Sequence, residues 1–117
     1  MIEKTIIYFN EKAIYEGHTD NDKANRKGII IYNNGDKYEG DFRDNFLEGK
    51  GIYNYKNGDK YEGDFKNNKR DGKGILFYTN GNKYEGFFFN DKKHGKGKMI
   101  YQNGKIEKKV YKDDILI

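Results

Sequence analysis

Cysteine, proline and tryptophan are all missing from the 117 residues. Without cysteine the chain has no disulfide, no thiolate metal site and no cysteine nucleophile. Without proline, the residue that would interrupt a hydrogen-bonded ladder is missing. Hydrophobic residues are sparse as well, 34% against 36% charged, so a single domain of this length has a thin core. No apolar stretch approaches the length of a membrane span, and Met1-Ile2-Glu3-Lys4 opens no apolar signal segment. The expectation is a soluble, intracellular chain.

Rings and glycines are what the chain does have, with 11 Tyr, 8 Phe and 15 Gly. Large aromatic side chains therefore carry most of the apolar area, and periodic glycine suits a sheet of many turns. The net charge of +4 is unevenly placed: residues 90–117 hold eight lysines against four acids, and the remainder sums to zero. Such an end is either a set of solvated lysines between strands or an attraction for anionic surfaces.

The run NGDKYEGDF stands at Asn34 to Phe42 and again at Asn57 to Phe65, a step of 23 residues. The step carries Tyr15 onto Tyr38, Tyr61 and Tyr84, each followed by Glu-Gly. A fixed period of this length marks a repeat array, in which each unit buries its apolar face only against its neighbours. Four units follow, at 15–37, 38–60, 61–83 and 84–106. Residues 1–14 form an N-terminal half-unit cap, and 107–117 a C-terminal capping strand and tail.

Within each unit an Asn-Gly pair separates two short aromatic runs, the sequence of a two-residue type I′ hairpin loop. That loop pairs Ile31 with Tyr38 and Ile29 with Gly40. It puts Ile29, Ile31, Tyr38 and Phe42 on the apolar face, repeated as Ile52, Asn54, Tyr61 and Phe65, then Ile75, Phe77, Tyr84 and Phe88. Tyr32, Tyr55 and Tyr78 then oppose Lys37, Lys60 and Lys83, with cation–π contacts of roughly 0.5 kcal/mol each. Longer polar connections join the hairpins at 43–50, 66–73 and 89–96, each ending in Gly-Lys-Gly. In the first unit the equivalent stretch, Asp20 to Lys27, has Arg26 where the others have glycine, and an irregular loop is expected there. Ten strands, from Thr5–Phe9 to Lys105–Tyr111, make an all-β, elongated, single-layer twisted antiparallel sheet of stacked hairpins, about 45 Å long at ~4.8 Å per strand.

Several chemistries are weighed against this frame. The Gly-Lys-Gly triplets lack the following Ser/Thr and helix of a phosphate loop. Asp20-Asn21-Asp22 lacks the glycine and the glutamate of a calcium loop. His18 and His94 have no partner at metal-ligand spacing, so no metal or other cofactor is expected. The acids Glu39, Asp41, Glu62 and Asp64 recur as copies, whereas an acid–base pair needs one distinctive environment that separates two pKa values. Nucleic acid is disfavoured by five acids against three bases in residues 28–50.

A 23-residue unit of Tyr-Glu-Gly-Asp-Phe, polar connection, Gly-x-Gly, aromatic run and Asn-Gly resembles the MORN repeat (membrane occupation and recognition nexus). Units 38–60 and 61–83 fit it fully and 84–106 nearly so, while the first unit has His18-Thr19 in place of Asp-Phe. The resemblance implies an elongated twisted sheet with an aromatic-lined groove. Such repeats occur in junctophilins, plant phosphatidylinositol phosphate kinases, a lysine methyltransferase, radial spoke subunits and protozoan cytoskeletal proteins, and in the enzymes another domain holds the catalysis. The implied function is a non-catalytic scaffold or adaptor for protein–protein interaction in an intracellular assembly, cytoskeletal or ciliary, with no small-molecule substrate. Its candidate contacts are Ile7, Phe9, Tyr38, Phe42, Tyr61, Phe65, Tyr84 and Phe88, facing a protein partner or a second copy. The alternative is a peripheral membrane adaptor that meets anionic phospholipid through Lys92, Lys93, Lys96, Lys98, Lys105, Lys108, Lys109 and Lys112. Thr5 to Phe9, free of charge and proline, is the edge expected to be covered by another chain.

Overall fold

Side chains that alternate ring and charge, as in Lys-Tyr-Glu-Gly-Asp-Phe-Lys, build strands with one buried and one wet face. The computed structural model describes residues 5–10, by their backbone, and 12–117 in full. Its strands are β1 (Thr5–Asn10), β2 (Ala13–Asp20), β3 (Lys23–Tyr32), β4 (Lys37–Arg43), β5 (Phe46–Asn54), β6 (Lys60–Lys66), β7 (Lys69–Phe77), β8 (Lys83–Phe89), β9 (Lys92–Ile100), β10 (Ile106–Lys112) and β11 (Ile115–Leu116). They form one antiparallel sheet in chain order, with no helix among the described residues. The sheet is all-β and open, as expected, with β11 added to the ten anticipated strands. Its extents are 45 × 26 × 23 Å. A flat single layer is only about 10 Å deep, so this one is strongly curled.

The expected turn chemistry is exchanged between the two ends of each unit. The pairs Asp44-Asn45, Asn67-Asn68 and Asn90-Asp91 take positive φ at both residues, between 45° and 74°. They are two-residue loops of the I′ kind, closing pairs such as Arg43 with Phe46. The long connections do not exist; strands run through them, interrupted by a bulge opposite Asp41, Asp64 and Phe87. Each bulge places a glycine at positive φ: Gly49 (82°), Gly72 (108°) and Gly95 (95°). The Asn-Gly tips, by contrast, are three-residue loops. Gly35 N–H donates to the Tyr32 carbonyl at 3.0 Å, Tyr32 N–H donates to the Asp36 carbonyl at 3.0 Å, and only Gly35 of the pair has positive φ. This is a turn closed by a glycine bulge, and Asn34 Oδ1 fixes it by accepting Asp36 N–H at 2.8 Å.

The extra loop residue shifts the register by one, and a one-residue slip transfers every side chain of a strand to the other face. Tyr38 therefore opposes Ile30, Tyr61 opposes Tyr53 and Tyr84 opposes Leu76. Ile30, Tyr32, Tyr53, Tyr55, Leu76 and Tyr78 share the ring face with Tyr38 and Phe42. Ile29, Ile31, Ile52, Asn54, Ile75 and Phe77 lie on the outer face instead, and Ile31 is 53% exposed. The expected Lys–Tyr pairs fall with the register. Lys60 and Lys83 lie over Phe77, at 4.6 and 5.9 Å.

The ends also depart from expectation. Asp20 to Lys27 is a regular hairpin, its Asn21-Asp22 turn like the others and Arg26 at φ 63° in the glycine position. A left-handed non-glycine residue costs about 1–2 kcal/mol. Because Arg26 is exposed, Arg26→Gly should recover about 1 kcal/mol of this and raise the thermal midpoint by several degrees; a lower midpoint would contradict it. The tail pairs with the end of β10 as β11, while its apolar side chains stay in solvent: Ile115, Leu116 and Ile117 are 67%, 54% and 72% exposed.

Candidate interaction surface

On the ring face the four tyrosines Tyr15, Tyr38, Tyr61 and Tyr84 are completely buried, although the sheet has no second layer. Each unit covers the next. The rings run in one alternating file of edge-to-face contacts: Tyr15 to Phe42 at 4.9 Å, Phe42 to Tyr38 at 5.1 Å, Tyr38 to Phe65 at 5.0 Å, Phe65 to Tyr61 at 5.1 Å. It continues from Tyr61 to Phe88 at 5.1 Å, Phe88 to Tyr84 at 5.4 Å and Tyr84 to Tyr111 at 5.5 Å. Tyr111 occupies the next phenylalanine position and ends the file. Contacts of this geometry contribute about 0.5–1.5 kcal/mol each beyond their buried area.

Glycine makes room beneath each tyrosine. Gly63 and Gly74 face each other across β6 and β7, and a Cβ on Gly63 would come within 2.5 Å of the Gly74 Cα and the Lys73 carbonyl. The Tyr61 ring lies over Gly74, and its hydroxyl donates to the Asp64 carbonyl at 2.9 Å. Tyr38 repeats the bond to the Asp41 carbonyl at 2.7 Å. Burial pushes the hydroxyl pKa of Tyr15 and of Tyr84 up to about 12. Burial, then the Asp41 and Asp64 charges, raise Tyr38 and Tyr61 further.

Cations close the file from the side. Arg70 lies over Phe88 at 5.2 Å and Tyr61 at 5.8 Å, and Lys93 is ringed by Tyr84, Tyr111 and Tyr78 at 5.0, 5.2 and 5.3 Å. Sequence reasoning missed Arg70, and it placed Lys93 on a lipid-facing patch. Both occupy the position held by buried Ala24 and Leu47 in earlier units, and the period alone would have aligned them.

Adjacent units are also laced at their turns. Asn45 donates its N–H to the Ala24 carbonyl at 3.0 Å and accepts the Ala24 N–H on Oδ1 at 2.8 Å. Asn68 grips Leu47 likewise, Asp91 grips Arg70 and Asp114 grips Lys93. At the tips, Asp36 Oδ1 accepts Lys56 N–H at 2.8 Å and Asp59 Oδ1 accepts Thr79 N–H at 3.0 Å.

Of the expected protein-contact residues, Tyr38, Phe42, Tyr61, Phe65, Tyr84 and Phe88 are at most 5% exposed, so internal packing consumes them. Ile7 and Phe9 are placed on β1 by backbone alone; their side chains lie outside the described ones. The eight lysines do not share a face. Lys93 and Lys109 lie on the ring face, Lys109 Nζ 3.7 Å from Glu107 Oε1. Lys96, Lys98 and Lys108 lie on the outer face. Lys92, Lys105 and Lys112 sit at or beside strand ends. His18 Nε2 lies 3.1 Å from Asp20 Oδ1, and His94 Nδ1 3.4 Å from Asp113 Oδ1. No group of three or more metal-ligating side chains occurs among the described residues.

Two surfaces are therefore open to a partner. One is the sheet margin: among the described residues β1 pairs with β2 alone, and the last residues cover β10 at Val110, Tyr111 and Lys112, Ile117 N–H donating to the Val110 carbonyl at 2.9 Å. The other is the outer face. There Lys27 pairs with Asp41 and Lys50 with Asp64. Burial alone would raise the Asp41 pKa, but Lys27 and the Lys50 N–H outweigh it and hold the carboxyl below its usual range. A family model for the MORN repeat matches residues 15–37, 38–60, 61–83 and 84–106. The chain finds no match among curated proteins.

Proposed function

The chain belongs to the MORN repeat family, non-enzymatic repeats associated with scaffolds for protein and membrane interaction, and on that premise we propose that it is a scaffold that docks protein partners inside the cell, in a cytoskeletal or ciliary assembly. The observation that carries this reading is the open margin. Among the described residues the sheet ends at β1 on one side and at the short β11, which leaves most of β10 uncovered, on the other, and unpaired backbone donors and acceptors on an outer strand are a template for a strand of another chain. β1 is the preferred site, because Thr5 to Phe9 is uncharged whereas β10 carries Lys108, Lys109 and Lys112.

Membrane adaptation is the second outcome, and the division of its eight lysines between faces weakens it. The test combines light scattering of the pure protein over a concentration series, cross-linking in extracts of the source, and sedimentation with phosphatidylserine vesicles. Association without lipid, weakened by Ile7→Lys while the central repeats stay folded, is expected. A strict monomer with no cross-linked protein that sediments with the vesicles would replace the scaffold with the membrane reading.

A further inference from the structure

The outer face carries its own internal control. Lysine recurs at every unit, as Lys27, Lys50, Lys73 and Lys96, and the residue fourteen positions later stands beside it on the next strand. In the first two units that residue is Asp41 or Asp64, and the pair is ionic. In the last two it is Phe87 or Val110. The lysine is kept and the acid is lost. The Phe87 side chain has no oxygen to accept the Lys96 N–H as the Asp41 carboxylate accepts that of Lys50 at 2.9 Å and the Asp64 carboxylate that of Lys73 at 3.2 Å.

The consequence is a groove of about 740 Å³ across β7 to β10. Phe87 and Val110, 45% and 42% exposed, share its lining with Ile75. Of its five lining lysines Lys109 turns to the ring face beside Glu107, and Lys73, Lys96, Lys98 and Lys108 supply four positive charges on the outer face against one carboxylate, Glu85. The corresponding hollow over the first units has Glu16 and Glu39 beside Lys27. Stacking of one unit on the next cannot explain the difference, since the aspartate version stacks equally well.

We propose that this groove is a docking site for an extended acidic peptide segment in which pairs of carboxylates alternate with pairs of apolar side chains, so that the face turned to the groove carries both. The proposal rests on the scaffold reading and names the partner's chemistry. Three inter-strand steps spread the lysines over about 14 Å, which four or five extended residues span. A single phosphate head group engages one or two of them and leaves Phe87 and Val110 uncovered. Charge of one sign beside apolar floor is the complement of such a segment.

The experiment is a fluorescence anisotropy titration of a labelled synthetic peptide that repeats Glu-Glu-Leu-Leu, which presents both side chains on each extended face. Wild type is compared with Phe87→Asp, which restores the residue of the earlier units, and with the double variant Lys73→Gln/Lys96→Gln. Binding by wild type, weakened at least tenfold by each variant at unchanged thermal midpoint and absent for a glutamine-for-glutamate peptide, is the expected result. If Phe87→Asp does not fold, the double variant decides. No binding by wild type, equal binding by the folded variants, or sedimentation with phosphatidylserine vesicles in place of peptide binding would overturn the proposal. Loss of the groove with association through β1 retained would leave the scaffold reading standing.

Discussion

Tyr61→Ala should destabilise the sheet by about 4–5 kcal/mol, the upper range for removing a large buried ring. Three losses coincide at this residue. The ring is wholly buried between Phe65 and Phe88, each at 5.1 Å. Its hydroxyl bonds the Asp64 carbonyl. Its plane also covers Gly74, a residue with no side chain to fill the space left behind. The urea midpoint, with the slope unchanged, reads the effect. Tyr61→Phe keeps the ring and forfeits the hydrogen bond, for about 1 kcal/mol. A loss below about 2 kcal/mol for Tyr61→Ala would mean that the glycine seam collapses onto the gap.

Alkaline pH should unfold the protein well before its lysines alone would account for it. The four buried tyrosines have hydroxyl pKa values raised above their ordinary 10, Tyr15 and Tyr84 to about 12 and Tyr38 and Tyr61 beyond. A raised folded pKa means that the unfolded chain ionises first. The stabilisation is fully present below pH ~10 and is lost as pH rises toward the folded values. Each tyrosine removes about 1.4 kcal/mol per pH unit in that window, so four together remove roughly 5–6 kcal/mol per unit. That exceeds what a marginally stable domain withstands over two units. Tyrosinate absorbance followed beside circular dichroism should show the buried tyrosines ionising together with loss of the strand signal between about pH 10.5 and 12. Ionisation at pH ~10 with the sheet intact would show that these hydroxyls are not buried.

The period, the strands and the ring positions were legible because each is a local or simply periodic property. Alternation of Tyr, Gly and Phe names a face without knowledge of its neighbours. Register was not legible, because the tip is settled by side-chain bonds and by the neighbouring unit. Asn34 bonds Asp36, and Asp36 in turn holds Lys56, twenty residues on. The Asn-Gly pair drew the two-residue loop to itself, although Asn67-Asn68 tolerates the same left-handed geometry without a glycine. Arg70 was missed and Lys93 assigned to a lipid-facing patch because the rings beneath them come from different units. The change from Asp64 to Phe87 was visible in the sequence, but its meaning depended on knowing that Lys73 is the residue beside it.

The turn grips and the ring file reach from one unit only to the next, and this makes length a digital quantity. Duplicating or excising 23 residues rejoins like with like: with residues 38–60 removed, Tyr15 would meet Phe65 as it now meets Phe42. Each such step changes the long axis by two strand spacings, about 9.6 Å, and leaves both ends chemically unaltered. The distance between the two ends of the sheet is therefore set by counting repeats, with no new interface required.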